Sequence, residues 1–145
     1  MEYTIKVFIP GADELTLKIE KDTQGLVVSA GLQGIGGPEL LTLMQEWRPH
    51  LVDRINKSIL PEGNSSGEMM LRELILRSRS QWNPPQIEEE LCHCRFVKRD
   101  RVDQSILLGA HTPEKISLWT TASTACGSCR KDVIELLQYR LQKPA

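Results

Sequence analysis

The amino-acid sequence predicts an α+β fold in two parts, and three features of its 145 residues support this prediction. Apolar residues alternate with polar ones over roughly the first thirty residues, which is the spacing of strands. Helical spacing of apolar residues replaces that alternation after Pro38. Two consecutive prolines, Pro84 and Pro85, separate a first segment without cysteine from a second segment that holds all four. We therefore expect an N-terminal three-stranded antiparallel sheet with helices, followed by a small all-helical domain built around four cysteines.

The N-terminal strands are predicted from two alternating runs and from the turns "PGAD" and "KDTQG" that end them. A third strand is predicted in "GLVVSAGLQ", because Val27 and Val28 favour an extended backbone. Short connections between the three strands predict an antiparallel meander. The apolar members of the two alternating runs are Tyr3, Ile5, Val7 and Ile9, and then Leu15, Leu17 and Ile19.

Three helices are predicted after the loop "QGIGGP". Pro38 and Glu39 suit a first helical turn, because proline lacks an N–H that the turn does not need and glutamate faces the positive end of the dipole. Pro49 interrupts this helix, and a second one is predicted on apolar residues spaced four apart, ending at Ile59. The third is expected after the break "LPEGNSSGE", from near Ser66 through "MMLRELILRSRSQW", with Met70, Leu71, Leu74 and Ile75 facing inward.

The domain boundary is predicted at "NPPQ", since neither proline can continue a helix. This gives a domain at residues 1–83, a linker at 84–90 and a second domain at 91–145. Residues 1–90 carry 9 Lys/Arg and 14 Asp/Glu, a net charge of −5, whereas residues 91–145 carry 9 and 5, a net charge of +4. Such asymmetry indicates two modules with different roles.

The second domain is helical in its pattern. Asp100 is predicted to cap a helix that ends near Gly109, and Thr112 is predicted to cap a helix with Pro113 at its first position. The stretch "CGSCRKDVIELLQYRLQ" is predicted to form a final amphipathic helix. We expect Cys126 and Cys129 to open this helix, with Ser123 or Thr124 as its cap.

Several functional classes are disfavoured by the sequence. There is no apolar run of about 18 residues and no basic segment followed by an apolar one at the start, so we expect a cytoplasmic protein that does not span a membrane. The "GIGG" loop does not have the spacing of a nucleotide fingerprint. The basic run 95–101 lacks interleaved aromatic residues, which disfavours nucleic-acid binding.

The four cysteines form two close pairs: Cys92 and Cys94 have one residue between them, and Cys126 and Cys129 have two. Four thiolates are the ligand set of tetrahedral zinc or of a [2Fe–2S] cluster. Free amides and the dipole at a helix start favour the thiolate form. Basic residues flank both pairs and would offset the cluster's negative charge: Arg95, Lys98, Arg99, Arg101, Arg130 and Lys131.

The spacing favours iron–sulfur over zinc. Structural zinc sites usually have two to four residues between paired ligands, whereas each iron of a two-iron cluster takes its own pair of thiolates. His93 could itself bind metal, but four cysteines already complete the ligand set. Because the spacing does not decide between the metals, a zinc-stabilised interaction module remains an alternative. A thiol redox enzyme using the C-G-S-C pair ranks behind both, because the surrounding βαβ pattern is missing.

The stretch "LCHCRFVKRDRVDQSILLGAHTPEKISLWTTASTACGSCRKDVIELL" resembles the bacterioferritin-associated-ferredoxin type of [2Fe–2S] domain, which also occurs in the middle of NifU-type proteins. The resemblance covers residues 91 to about 141 and rests on C-x-C, about thirty helical residues, and C-G-x-C at a helix start. It implies that Cys92, Cys94, Cys126 and Cys129 ligate one [2Fe–2S] cluster.

The N-terminal half is similar in pattern to the NifU/IscU-type scaffold domain, with three strands and then "GLVVSAGLQGIGGPELLTLMQEW" at the join to the helices. In that family a cysteine lies in the glycine-rich loop, at a place that falls near Gly37 here. This chain has no cysteine before Cys92, so the resemblance implies a degenerate scaffold with a docking or structural role.

Together these features predict a NifU-like iron–sulfur protein that acts in electron transfer or in iron–sulfur cluster biogenesis. No side chain is expected to perform acid–base or nucleophilic chemistry, so the protein is not expected to be an enzyme. The basic C-terminal half predicts an acidic protein partner, attracted by electrostatic steering.

Overall fold

A computed structural model describes residues 1–85, 97–122 and 129–142, together with the backbone of residues 90–92. The chain divides into two compact units, Met1–Trp82 and Asn83–Ala145. The first contains a three-stranded antiparallel sheet followed by helices, and the second is mainly helical. The predicted α+β fold class is confirmed.

The N-terminal unit begins with strands β1 (Glu2–Phe8), β2 (Glu14–Lys21) and β3 (Val27–Ile35), which pair in that order. Both pairings are antiparallel, and the register places Ile5 opposite Leu17 and Leu17 opposite Leu32. This confirms the predicted meander. Strand β3 runs on to Ile35, so part of the predicted loop "QGIGGP" is strand.

One face of this sheet is buried, and it carries the apolar residues of the alternating pattern. Leu15 and Leu17 are fully buried, whereas Phe8 and Ile35 on the opposite face are more than half exposed. Because side chains alternate between the two faces of a strand, the period of two in the sequence determines which residues face the helices.

The helices of this unit are α1 (Pro38–Trp47), α2 (Leu51–Asn56) and α3 (Ser66–Ser78), with a 3₁₀ turn at Arg48–His50 between the first two. Pro38 occupies the first turn of α1, as predicted. The prediction that α2 extends to Ile59 is wrong. Ser58 has a positive φ of 58°, which ends the helical path, and Ile59 is 45% exposed.

Helix α3 provides much of the buried surface of the N-terminal unit, and its four predicted inward residues are buried: Met70, Leu71, Leu74 and Ile75. Ser65 caps the helix by accepting a hydrogen bond from the Glu68 amide at 3.2 Å. The buried Arg72 donates to the carbonyl oxygens of Pro61 and Gly63, which holds the preceding loop against the helix.

The C-terminal unit contains strands β4 (Glu90–Cys92) and β5 (Val97–Lys98) and helices α4 (Arg99–Leu107), α5 (Pro113–Thr120) and α6 (Arg130–Leu141). The three helices contact one another, and both strands contact α4. The helices were predicted, whereas the two-stranded pairing was not, because strands of two and three residues leave no periodic pattern.

The capping predictions in this unit have different outcomes. Thr112 does cap α5, accepting from the Lys115 amide at 3.2 Å. Asp100, however, lies inside the first turn of α4, and Lys98 occupies the N-cap position. Helix α6 has Cys129 at its N-cap position, and the predicted caps Ser123 and Thr124 lie outside the described residues. Over the ranges that the structure describes, no helix is long and apolar enough to cross a membrane.

Candidate metal centre

Cys129 is the predicted ligand whose side chain the structure describes. It is 5% exposed and stands immediately before α6, with its carbonyl accepting from the Val133 amide at 3.0 Å. A thiolate at this position faces the positive end of the helix dipole and nearby amides that are not used within the helix. The geometry therefore suits an anionic sulfur ligand.

Cys92 ends strand β4, and its backbone is paired with Val97 of β5. The register shifts between Glu90 and Cys92, so β4 has one extra residue in this short antiparallel ladder. Helix α4 begins directly after β5, at Arg99. The backbone of Cys92 is thus tied through the hairpin to the start of a packed helix.

The other two predicted ligands, Cys94 and Cys126, lie outside the described residues, as do His93 and Arg95. Among the residues described, no group of three or more His, Cys, Asp or Glu side chains is placed to hold a metal. Convergence of the four sulfurs on one centre stays a prediction.

Two ion pairs hold α6 against its neighbours within the C-terminal unit. Near its start, Arg130 Nη2 lies 2.9 Å from Oε1 of Glu114 in α5. Near its end, the buried Arg140 donates two hydrogen bonds of 2.7 Å to the two carboxylate oxygens of Asp103 in α4. The helix that follows Cys129 is therefore linked by an exposed ion pair to α5 and by a buried one to α4.

Two of the cations that lie near the cysteines in the sequence pair with carboxylates in the structure. Arg130 pairs with Glu114, and Arg99 lies 3.0 Å from Asp100. A hydrogen bond from the backbone of Glu114 lowers the pKa of its carboxyl below the ordinary 4.5, and the hydrogen bond and charge of Arg130 lower it further. The sequence does not reveal these pairings, because they depend on how the helices pack.

The Thr120 hydroxyl bonds the backbone at the C-terminal end of α5, where the chain continues toward the second cysteine pair. Buried Thr120 donates to the Ile116 carbonyl at 2.7 Å and accepts from the Ala122 amide at 3.2 Å. Thr121 has a positive φ of 65°, which ends the helix. Thr120 was not identified from the sequence as the residue that shapes this exit.

Comparison with protein families gives a specific result for the C-terminal unit. Residues 91–139 match the family model of the BFD-like [2Fe-2S] binding domain. The matched segment contains all four cysteines and covers about a third of the chain. The resemblance found in the sequence is confirmed for this segment, while the match does not extend to the N-terminal unit. Searches of curated proteins and of solved structures found no match to the chain.

The donors present in the BFD-like segment fit a [2Fe–2S] cluster. Four thiols are the protein ligands that such a cluster requires, and the described one is buried at a helix N-terminus. Burial limits the access of water and oxidants to a metal-bound sulfur, and helix amides can donate hydrogen bonds to it.

Proposed function

We propose that the C-terminal unit binds one [2Fe–2S] cluster through Cys92, Cys94, Cys126 and Cys129. The observation that carries this proposal is the family match over residues 91–139, which includes each of these cysteines. The buried position of Cys129 at the start of α6 supports it, because an anionic ligand is favoured there.

Chain length also supports the assignment of each pair to one iron. Two residues of extended chain span at most about 7 Å and three at most about 11 Å, so the Cα atoms of Cys94 and Cys126 lie within these distances of Cys92 and Cys129. Such short spacings are compatible with two thiolates of one pair on the same iron. We therefore propose that one iron takes Cys92 and Cys94 and the other takes Cys126 and Cys129.

When bound, the cluster would supply one-electron chemistry, and the protein would ligate it, tune its potential and present it to a partner. We infer a cytoplasmic, non-enzymatic role in electron transfer or in iron–sulfur cluster biogenesis, of the kind that NifU-like proteins have. The net charge of +4 on residues 91–145 favours an acidic protein partner. The N-terminal unit, which has no cysteine, would not hold a cluster and would act in docking.

Anaerobic purification of the full chain, followed by iron, zinc and sulfide analysis and a visible spectrum, tests the cofactor. We expect a reddish-brown protein with about two irons and two sulfides per chain. A colourless protein with about one zinc would instead support the zinc-stabilised interaction module. A protein that contains neither metal after anaerobic purification contradicts both assignments.

Replacing one ligand tests which residues hold the cluster. The variant Cys94→Ser should lose most of its iron and visible absorbance, because a neutral hydroxyl is a poor substitute for a thiolate. The neighbouring variant His93→Ala is the matched control and should keep both. If iron and spectrum survive in Cys94→Ser but not in His93→Ala, the ligand set includes the imidazole and our assignment is wrong.

Electron transfer and cluster biogenesis differ in whether the protein keeps its cluster. An electron carrier should be reduced and reoxidised repeatedly with its iron content unchanged. A biogenesis protein should pass iron and sulfide to an apo-ferredoxin, and the loss of its visible spectrum would accompany the appearance of the acceptor's. Measuring both in the same preparation distinguishes them.

A further inference from the structure

The outer edge of β1 in the N-terminal unit has backbone groups that the sheet does not use. Met1 and Lys21 exchange backbone hydrogen bonds of 3.0 and 2.9 Å, and the Ile9 amide donates to the Asp13 carbonyl at 2.8 Å. In an antiparallel pair, hydrogen-bonded residues alternate with non-bonded ones, so the odd-numbered residues of β1 point their amides and carbonyls toward β2. The amides and carbonyls that point toward the open edge are therefore those of Glu2, Thr4, Lys6 and Phe8.

At the opposite edge of the same sheet, side chains bond some of the outward-facing backbone groups. Asn56 of α2 accepts from the Val27 amide at 3.0 Å and donates to its carbonyl at 2.8 Å. Arg48 donates to the Leu32 carbonyl at 3.1 Å. Within the part of the chain that the structure describes, the edge-facing backbone groups of β1 have no such partners. An uncovered edge strand is a template for pairing with another strand.

A cleft of about 640 Å³ lies beside this edge, on the helix-covered side of the sheet. Tyr3, Thr4 and Ile5 form its β1 wall, and the C-terminal end of α3 with the residues that follow forms the other wall, including Arg77, Ser80 and Trp82. A strand added to β1 would point every second side chain toward this cleft, since side chains alternate between the faces.

The cleft is lined by two cations, Lys21 and Arg77, and by no carboxylate, although residues 1–90 have a net charge of −5. Arg77 Nε lies 2.7 Å from a carboxylate oxygen of Glu73, whose side chain is 4% exposed. This buried carboxylate largely neutralises the charge of Arg77. Lys21 donates to the Ser78 carbonyl and stands 5.4 Å from the centre of the Tyr3 ring. Among the residues described, no carboxylate lies within ion-pair distance of the Lys21 ammonium group.

From these observations we propose that the edge of β1 binds an extended, acidic peptide segment of a partner protein as a fourth strand of the sheet. The backbone groups of Thr4 and Lys6 pair with the incoming strand, and an acidic side chain of that strand enters the cleft toward Lys21. Strand addition of this kind draws affinity from main-chain hydrogen bonds and specificity from the side chains that enter pockets. The proposed site is formed by residues of the N-terminal unit and uses none of the four cysteines.

Two ten-residue peptides with blocked ends, one alternating valine with glutamate and one alternating valine with lysine, are suitable probes for the full-length protein. Fluorescence anisotropy of labelled peptides should show saturable binding of the glutamate peptide, weakening as salt is added, and at least about tenfold weaker binding of the lysine peptide. Equal binding of both peptides, or of neither, overturns the proposal.

Thr4→Pro tests the strand pairing, because proline removes an amide that points to the open edge and leaves the β1–β2 ladder intact. Thr4→Val is the matched control, since it keeps the amide and changes the side chain. We expect about fivefold or greater loss of affinity for the glutamate peptide in the first variant and little change in the second. Circular dichroism verifies that both variants are folded.

Ser80→Glu tests the charge of the cleft without altering β1. Ser80 is exposed and lines the cleft, so a carboxylate at this position should repel the glutamate peptide. The control Ser80→Gln introduces a neutral side chain of the same shape as glutamate and should not repel it. We expect Ser80→Glu to weaken binding several-fold relative to Ser80→Gln at low salt. If these two variants bind equally, acidic recognition is wrong, whatever Thr4→Pro does.

Amide hydrogen exchange identifies the binding edge directly. Bound glutamate peptide should slow exchange at Thr4 and Lys6, whose amides face the open edge, and should change Ile5 and Val7 little, because their amides already bond β2. Analytical sedimentation without peptide tests whether a second copy of this chain occupies the edge of β1 instead. A concentration-dependent dimer that Thr4→Pro abolishes would mean that β1 pairs with itself, which contradicts an acidic partner.

Discussion

Single charged residues determine how firmly the helix after Cys129 is held. Arg140 is 3% exposed, and its guanidinium makes two hydrogen bonds of 2.7 Å to Asp103. The exposed pairs in the same unit are different, because water screens the Arg130–Glu114 and Arg99–Asp100 contacts. The buried pair is therefore the one whose loss matters for stability.

Asp103→Asn should lower the free energy of unfolding of the C-terminal unit by about 2–4 kcal/mol, since it leaves a buried guanidinium without its counter-charge. Urea denaturation followed by circular dichroism measures the change. Asp100→Asn is the control and should cost less than about 1 kcal/mol, because the Asp100 side chain is 70% exposed. Equal effects of the two substitutions would show that the Arg140 pair is not buried in solution.

Glu114 should titrate below its ordinary value of 4.5, because its backbone hydrogen bond and Arg130 lower its pKa in the folded protein. A carboxyl with a lowered folded pKa stabilises the folded state above pH 4.5, and this contribution is lost as the pH falls through the folded pKa. NMR titration of the Glu114 carboxyl measures this. Arg130→Gln should raise that pKa, whereas Lys131→Gln, which removes a neighbouring cation without this contact, should leave it nearly unchanged.

Among the elements, α3 begins with hydrogen bonds that run in both directions between its cap and its first turn. Ser65 accepts from the Glu68 amide and donates to Glu68 Oε1 at 2.8 Å, and Glu68 Oε2 accepts from the Gly63 amide at 2.9 Å. This exchange resembles a capping box, although the returning bond reaches an amide two residues before the cap. It supports the helix that supplies Leu74 and other core residues.

Ser65→Ala should reduce the free energy of unfolding of the N-terminal unit by about 1 kcal/mol, because an amide of the first turn of α3 loses its acceptor. Thermal or urea denaturation measures the loss. Thr23→Ala, at an exposed turn of the same unit, should change stability by less than about 0.5 kcal/mol. A loss in Ser65→Ala no larger than in Thr23→Ala would indicate that the cap contributes nothing in solution.

Caps also show where sequence reasoning fails at this scale. Thr112 was predicted correctly because Pro113 follows it, and few other positions suit that pair. Asp100 was predicted as a cap on residue type alone, yet the N-cap is Lys98 and the helix begins at Arg99, two residues earlier than that prediction, directly after β5. The start of α4 is determined by where the β4–β5 hairpin ends, and a hairpin this short leaves no signal in the sequence.

At the scale of the whole molecule, each of the two units has its own buried core. Leu15, Leu74 and Ile75 belong to the first, and Val102, Ile106 and Val133 to the second. The proposed cluster lies entirely in the second unit. We therefore expect the stability of each unit to depend mainly on its own internal packing.

Removing iron from the purified protein with a chelator should destabilise residues 83–145 and leave residues 1–82 almost unaffected. Metal binding adds directly to the folding free energy of the unit that provides the ligands. Hydrogen exchange before and after chelation should show faster exchange in α4 and α6 and constant exchange in β2 and α3. A parallel loss of protection in both units would contradict separate stability, and unchanged exchange everywhere would contradict a structural contribution of the cluster.

The sequence by itself determined the three-stranded meander, most of the helices and the four-cysteine pattern. Period-two and helical spacing are local properties, and four cysteines in two close pairs have few chemical uses. Only the tertiary structure decided which carboxylate meets Arg140, 37 residues away, and which edge of the sheet stays uncovered. Such contacts join residues that are distant along the chain, so they follow from packing geometry and leave no periodic trace in the order of amino acids.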